Sequence, residues 1–141
     1  MLDDLGYGVL ATVLYALTGL AILALGYAVL DVLTPGKLRQ LVFAERNVNA
    51  ATVAGANVLA LAVIVTTAIL ESDDVLGRGL AQAAAYGVLG VALQAVAFKV
   101  LDALTPGHLG HIVTDERPDP AAAVVAAITL GMGAVVAASI T

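Results

Sequence analysis

The chain has no cysteine, and charged residues make up only 12% of it. Without cysteine, disulfide bonds, thiolate catalysis and cysteine metal sites are excluded. Six Lys and Arg residues are outnumbered by eleven Asp and Glu residues, so the basic patch that nucleic-acid binding requires is absent. Apolar residues are abundant instead, at 61% against about 45–50% in soluble domains. A soluble chain of 141 residues leaves too much surface in water to hide them, so the composition indicates a membrane protein.

Four long apolar runs follow one another along the chain. They cover approximately residues 7–30, 50–70, 79–101 and 121–141. Each is near or above the roughly 20 residues that a helix needs to cross a ~30 Å hydrocarbon core. The runs lack the alternation of barrel strands, and Asp3 and Asp4 stand where a signal peptide would carry positive charge. The sequence therefore predicts an all-α membrane protein with four transmembrane helices, the first of them retained.

One polar motif occurs twice, with its copies 71 residues apart. The first copy reads DVLTPGKL from Asp31, and the second reads DALTPGHL from Asp102. Further matches at the same offset are Leu5 with Leu76, Gly8 with Gly79, Tyr15 with Tyr86, Gly19 with Gly90, and Glu45-Arg46 with Glu116-Arg117. This agreement predicts a duplication, with residues 1–71 and 72–141 as two-helix repeats in one membrane domain. Repeats with an even number of helices insert in parallel, so we expect a pseudo-twofold axis along the membrane normal.

The basic residues fall mainly around the two copies of the motif. Five of the six lie in or beside the motif loops, namely Lys37, Arg39, Arg46, Lys99 and Arg117. The sixth, Arg78, lies on the other side of the predicted membrane. Because cytoplasmic loops carry an excess of Lys and Arg, both Thr-Pro-Gly loops are predicted to be cytoplasmic and both termini to be outside.

Each motif loop is predicted to contain a short amphipathic helix. Thr34 precedes Pro35, and Thr105 precedes Pro106, which is the order of a helix N-cap and first helical residue. Apolar residues at helical spacing follow, as Leu38, Leu41 and Val42 in the first copy and Leu109, Ile112 and Val113 in the second. Such a stripe suits a helix that lies on the bilayer surface or under the bundle.

Polar residues also mark helix starts and the middle of the membrane. Asn47 or Asn49 is placed to cap the second long helix, and Asp119 before a proline is placed to cap the fourth. Asn57 lies near mid-depth, with Thr129 one residue from the equivalent depth. We expect an interhelical hydrogen bond worth ~0.6 kcal/mol there, and a polar site is the alternative. Gln82 and Gln94 lie on different faces of the third helix, so no polar track is predicted from them.

The duplicated unit and its motifs resemble a known family. Asp-x-Leu-Thr-Pro, the following Glu45-Arg46-Asn47 and the two-helix repeat are similar to the bacterial inner-membrane proteins called domain of unknown function 350. The resemblance covers essentially all 141 residues. It implies a multi-pass protein of the bacterial plasma (inner) membrane, of unassigned activity, with a link to envelope-stress proteins. It implies no catalytic residue. Pro118 stands where the first copy has Asn47, so only the first half supplies that asparagine.

The candidate functional residues are those of the repeated motif together with one intramembrane side chain. They are Asp31, Thr34, Pro35, Glu45, Arg46, Asn47, Asp102, Thr105, Pro106, Glu116, Arg117 and the intramembrane Asn57. Around a twofold axis, Asp31 and Asp102 would face each other and bind a cation or relay protons. The alternative is that both are interfacial, held by a short-helix N-terminus or a local arginine. His108 and His111 lack a third ligand, so no metal site is predicted.

Two functions follow from these residues. The first is a non-enzymatic membrane module that recruits or anchors partners through its twin loops, in envelope maintenance. The alternative is a small ion or solute channel or transporter that uses Asp31, Asp102 and Asn57. No nucleophile–base pair, phosphate loop or cofactor motif indicates an enzyme. The expected partners are the lipid bilayer, further copies of the chain in a homo-oligomer, and a cytoplasmic or membrane protein.

Overall fold

The computed structural model describes residues 2–33, 40–104, 112, 115 and 117–141. Within them the chain is helical, without strands. The elements are α1 (Leu2–Leu33), a π-helical turn (Gln40–Ala44), α2 (Val48–Leu70), α3 (Leu76–Leu104) and α4 (Pro120–Ile140). All four α-helices are long and apolar enough to cross a membrane. The predicted all-α fold is therefore confirmed, with four candidate membrane spans.

The predicted loop helices fall largely outside the described residues. This holds for Thr34, Pro35, Thr105, Pro106, Glu116 and both histidines. The described parts of the two apolar stripes pack inward. Leu41 is buried, while Val42 and Ile112 are partly buried against a cluster that contains Leu30 and Phe98. The stripes thus contact the bundle where they are described, and the loop helices themselves stay a prediction.

Helix α2 holds the centre of the bundle. It packs against α1, α3 and α4, and its contact with α4 is the most extensive interface between helices. Lipid gives helices no hydrophobic reason to associate, so close approach at small residues has to supply the packing. Gly133 of α4 lies against Ala60 of α2, and Gly90 of α3 lies against Ile64. Leu61 and Ile64 of α2 are consequently fully buried.

The two hairpins lie side by side. Helix α1 packs on its repeat counterpart α3, and α2 packs on its counterpart α4. A twofold axis along the membrane normal would make α1 contact α4 as closely as α2 contacts α3, yet in the described residues α1 and α4 have at most marginal contact. The contact pattern therefore contradicts the expected rotational relation between the hairpins. The duplication itself stays a prediction.

Helix α1 is displaced along the bundle relative to α3. Three close pairs define the register, namely Tyr15 with Gly79, Ile22 with Gly87, and Gly26 with Val91. These separations are 64–65 residues, about six fewer than the repeat offset, which corresponds to a shift of ~9 Å at 1.5 Å per residue. The Tyr15 hydroxyl hydrogen-bonds Ser72 Oγ at 3.1 Å in the turn between α2 and α3. Residues 2–10 of α1 therefore extend past the start of α3 by ~14 Å.

Replacing Gly133 by alanine is expected to lower the free energy of unfolding by about 1–3 kcal/mol, the usual cost of overpacking a close contact. A Cβ at Gly133 would lie 2.6 Å from Ala60 Cβ and 2.8 Å from Ala60 Cα, so backbone would have to move. Gly131→Ala in the same helix is the matched control, because nothing lies within 4 Å of a Cβ there. Thermal unfolding in detergent micelles, followed by circular dichroism, measures both. Equal stability of the two variants would contradict the close α2–α4 contact.

Candidate functional site

The starts of α2 and α4 are capped by side chains that the sequence places just before them. Asn47 has an extended backbone, and its side-chain oxygen accepts a 3.0 Å hydrogen bond from the Ala50 N–H. Asp119 does the same for α4, with its carboxylate accepting from the Ala121 N–H at 2.9 Å. Each such cap is worth about 1 kcal/mol. The predicted cap at Asp119 is confirmed, and of the two asparagines proposed for α2 the structure selects Asn47.

Asn49 does not cap a helix. Its side-chain amide joins the second loop to the start of α2. The side chain is only 2% exposed. Its Nδ2 donates to the backbone carbonyls of Arg117 at 2.7 Å, Ile112 at 3.1 Å and Asp115 at 3.3 Å. Its Oδ1 accepts from the Asp119 N–H at 2.9 Å. We call Asn49 and these four partners the Asn49 clamp.

The chemistry of the clamp requires an amide. Both polar groups of the Asn49 amide are used: its Nδ2 donates to carbonyls, and its Oδ1 accepts from an N–H. A carboxylate has no donor, and an apolar side chain would remove the hydrogen bonds to the Arg117 and Asp115 carbonyls and from the Asp119 N–H. By the 72-residue offset that relates the two N-caps, Ala121 occupies the corresponding position, so the second half cannot offer the reciprocal bond. The first half of the chain therefore supplies the asparagine of the clamp, and the second half supplies its backbone partners.

The segment before α2 presents charged side chains beside the clamp. The Glu45 N–H donates to the Gln40 carbonyl at 2.8 Å, and the Asn47 N–H donates to the Leu41 carbonyl at 2.7 Å, which fixes the backbone on both sides of Arg46. Arg46 adopts a left-handed conformation with φ 53°, which is uncommon for a residue other than glycine. The side chains of Glu45, Arg46 and Arg117 are exposed. The described part of the repeated motif thus presents both signs of charge at one end of the bundle.

An open groove separates the starts of α2 and α4 at the clamp. Its volume is about 300 Å³. Thr52 lines the α2 side, Pro118 lines the loop, and Ala123 lines the α4 side, while Asn49 and Asp119 form part of the wall. The groove therefore has apolar and polar groups within reach of the charged segment.

The two motif aspartates do not share one level of the bundle. Asp31 and Asp102 are both partly buried, and each has an interaction partner. The α1–α3 register places Asp31 level with Val96, about six residues or ~9 Å from the level of Asp102. The predicted convergence of the two carboxylates across a twofold axis thus loses its geometric basis.

Three polar side chains are buried at one depth inside the bundle. Asn57 of α2, Gln94 of α3 and Thr129 of α4 are 7%, 5% and 8% exposed. Gln94 Nε2 donates to the Thr129 backbone carbonyl at 3.3 Å, while the Thr129 hydroxyl bonds the Val125 carbonyl in its own helix. The sequence placed Asn57 at mid-depth but missed Gln94, since an isolated glutamine in an apolar helix carries no signal for the face it occupies. Among the described residues, no cluster of three or more His, Asp or Glu side chains is placed to hold a metal.

Comparisons with known proteins agree on one family. Residues 4–140 match the family described as Domain of Unknown Function (DUF350). A UPF0719 transmembrane protein of Mycolicibacterium paratuberculosis is 45% identical over 134 residues, which cover 95% of this chain and 89% of the relative. UPF0719 transmembrane proteins of Mycobacterium bovis and Mycobacterium tuberculosis are each 40% identical over 135 residues, 96% of this chain and 89% of theirs. No solved structure matches the chain.

Replacing Asn49 by alanine is expected to lower the free energy of unfolding by about 1–3 kcal/mol, because buried backbone groups lose their partners. Hydrogen exchange at the Asp119 N–H should accelerate in this variant. In Asn49→Asp that N–H keeps an acceptor, so its exchange should stay slower than in the alanine variant, although the carbonyls lose their donor. Thr52→Ala is the control, since the exposed Thr52 hydroxyl bonds Val48 within its own helix. Unchanged exchange at Asp119 in Asn49→Ala would contradict the clamp.

Proposed function

The chain belongs to the DUF350 family, and from that premise we propose that it is a non-enzymatic membrane module that binds a protein partner at its twin loops. The observation that carries the proposal is the Asn49 clamp. Four hydrogen bonds from one buried amide hold the second loop against the start of α2. The two loops then act as one surface, which is what a binding site composed of two segments requires. We propose a role for this surface in envelope maintenance.

The distribution of apolar and charged side chains over the surface supports the loops as the binding surface. Large apolar side chains are exposed along the outer faces of the helices, such as Leu17, Leu59, Val63, Val96 and Val135. These faces suit lipid tails, which offer no specific recognition. The exposed charges of Glu45, Arg46 and Arg117 lie instead just before the starts of α2 and α4, whose first turns line the 300 Å³ groove. A partner segment with an apolar residue for the groove and charges for its rim would match this surface.

A tandem duplication accounts for the paired elements of this surface. The N-caps Asn47 and Asp119 stand at the starts of equivalent helices, 72 residues apart. The same offset relates the buried pairs Ala50 and Ala122, Val53 and Val125, Asn57 and Thr129, and Ile64 and Val136. The motif copies are 71 residues apart, so one additional residue in the second loop explains the difference. Both loops then lie at the same membrane face.

We propose the inner membrane as the location, with the loops in the cytoplasm and both termini outside. Because the chain has no cysteine, single-cysteine variants report orientation without background. Asp74→Cys in the α2–α3 turn should react with an impermeant maleimide in intact cells whose inner membrane is exposed. Glu45→Cys should react only after the membrane is permeabilised. Both side chains are exposed, so burial does not confuse the comparison. The reverse labelling pattern would overturn the orientation.

The alternative function, a small channel or transporter using the paired aspartates, has weaker support. Asn57 and Gln94 do provide buried polar groups inside the bundle. The cavity that they line has a volume of about 10 Å³, enough for about one water molecule. A solute path through these residues would therefore require assembly of several copies. Ion flux through liposomes that contain the purified protein, compared with Asp31→Asn and Asp102→Asn, tests this alternative directly.

Site-specific photocrosslinking tests the partner-binding function. A photoreactive residue at Thr52, Pro118 or Ala123 is expected to give the same protein adduct in native cells, because all three line the groove. The same residue at Asp74 should not give it. The adduct should be lost in Asn49→Ala, which frees the second loop from the start of α2, and weakened by Arg46→Glu, which reverses an exposed charge just before α2. An adduct that survives Asn49→Ala, or the absence of any loop-specific adduct, would contradict the proposal.

A further inference from the structure

A small cavity lies between α1, α2 and α3, away from the loop surface. Its volume is about 10 Å³. Gly26 and Leu30 of α1 form one wall, and most of the remaining lining is aliphatic or aromatic. Two polar side chains interrupt this lining, Asn57 from α2 and Gln94 from α3. The cavity is thus a polar point inside an otherwise apolar interior.

Both amides in the cavity wall are more than nine-tenths buried, and the hydrogen bonding of Gln94 is incomplete. Gln94 uses its Nε2 for the Thr129 carbonyl, but its Oε1 accepts no hydrogen bond from any described residue. Asn57 presents a second side-chain amide to the same cavity. A buried amide group without a partner costs about 1–3 kcal/mol. The Gln94 oxygen at this cavity therefore indicates a molecule that completes its hydrogen bonding.

The cavity lies too deep in the membrane for bulk water to hydrogen-bond the Gln94 side chain. Asn57 lies about 14 Å along α2 from Val48, and Gln94 lies about 15 Å along α3 from Leu104, at 1.5 Å per residue. Both distances end near the middle of a ~30 Å hydrocarbon core. The partner has to be held in the protein.

We propose that this cavity is a binding site for a single water molecule, which donates to Gln94 Oε1 and exchanges a hydrogen bond with the Asn57 amide. The size fits, since one water requires roughly 10–15 Å³ of such volume and at least two polar partners. A monovalent cation fits poorly, because none of the described residues that line the cavity is charged and a bare charge near mid-membrane is costly. With the Gln94–Thr129 bond, the water completes a polar connection from α2 through α3 to α4.

Solid-state NMR of the protein in lipid bilayers tests the site directly. Cross-peaks from water to the side-chain amide protons of Asn57 and Gln94 are expected. The exposed Gln82 side chain is the positive control, and the backbone N–H groups of the fully buried Leu61 and Ile64 are the dry controls. Absence of the cross-peaks at Asn57 and Gln94, with Gln82 positive, would overturn the proposal.

Two further arms identify the ligand. Asn57→Leu keeps a similar side-chain volume but removes one polar partner, so the water cross-peak at Gln94 should be lost. Thr66→Val, on the exposed side of the same helix, should leave it unchanged. Titration of the wild-type protein with Na⁺ or Li⁺ should leave the Gln94 shifts unaltered. A saturable shift with either ion would assign the site to a cation and overturn the water proposal, and the wild-type spectra decide this even if Asn57→Leu does not fold.

Discussion

The close approach of α2 to α4 makes the hydrogen bonding between their starts possible. Lipid tails are as apolar as the helices, so association in a membrane depends on small residues that let backbones meet. Gly133 against Ala60 is such a meeting point. It sets the starts of α2 and α4 side by side, and only at that spacing does the Asn49 side chain reach both the Asp119 N–H and the Arg117 carbonyl. Packing in the middle of the bundle thus produces the hydrogen bonding at its end.

The Asn49 clamp restricts how the second loop can move relative to the start of α2. Two copies of one loop, each free to move, would offer two weak and independent contacts. The buried Asn49 amide instead holds the end of the second loop against the start of α2, where a groove of about 300 Å³ opens. Because Ala121 stands at the position that corresponds to Asn49, the clamp has no counterpart in the second half. This asymmetry supports the proposed partner-binding module over the alternative of a symmetric conduction path.

The sequence was sufficient for the helices, because length and hydrophobicity alone determine a membrane span. Residues 50–70 were predicted for α2, which runs Val48–Leu70, and the Asp119 cap was located correctly. The relation between the hairpins was not predictable from the repeat, since identical motifs do not say which faces pack. The contacts of α1 with α3 set a register six residues short of the repeat, which separates Asp31 from Asp102 in depth. Asn49 and Gln94 were missed as site residues because their partners are backbone groups far along the chain, at Arg117 and Thr129.

The distance between the segment before α2 and the segment before α4 reports whether the Asn49 clamp holds them together. Spin labels at Arg46→Cys and Arg117→Cys, both exposed positions in a chain without other cysteines, can be measured by double electron–electron resonance in liposomes. We expect a single narrow distribution of the distance between the two labels. It should broaden in Asn49→Ala and stay narrow in Thr52→Ala. A distribution that is already broad in the parent protein, or one that stays narrow without Asn49, would contradict the clamp.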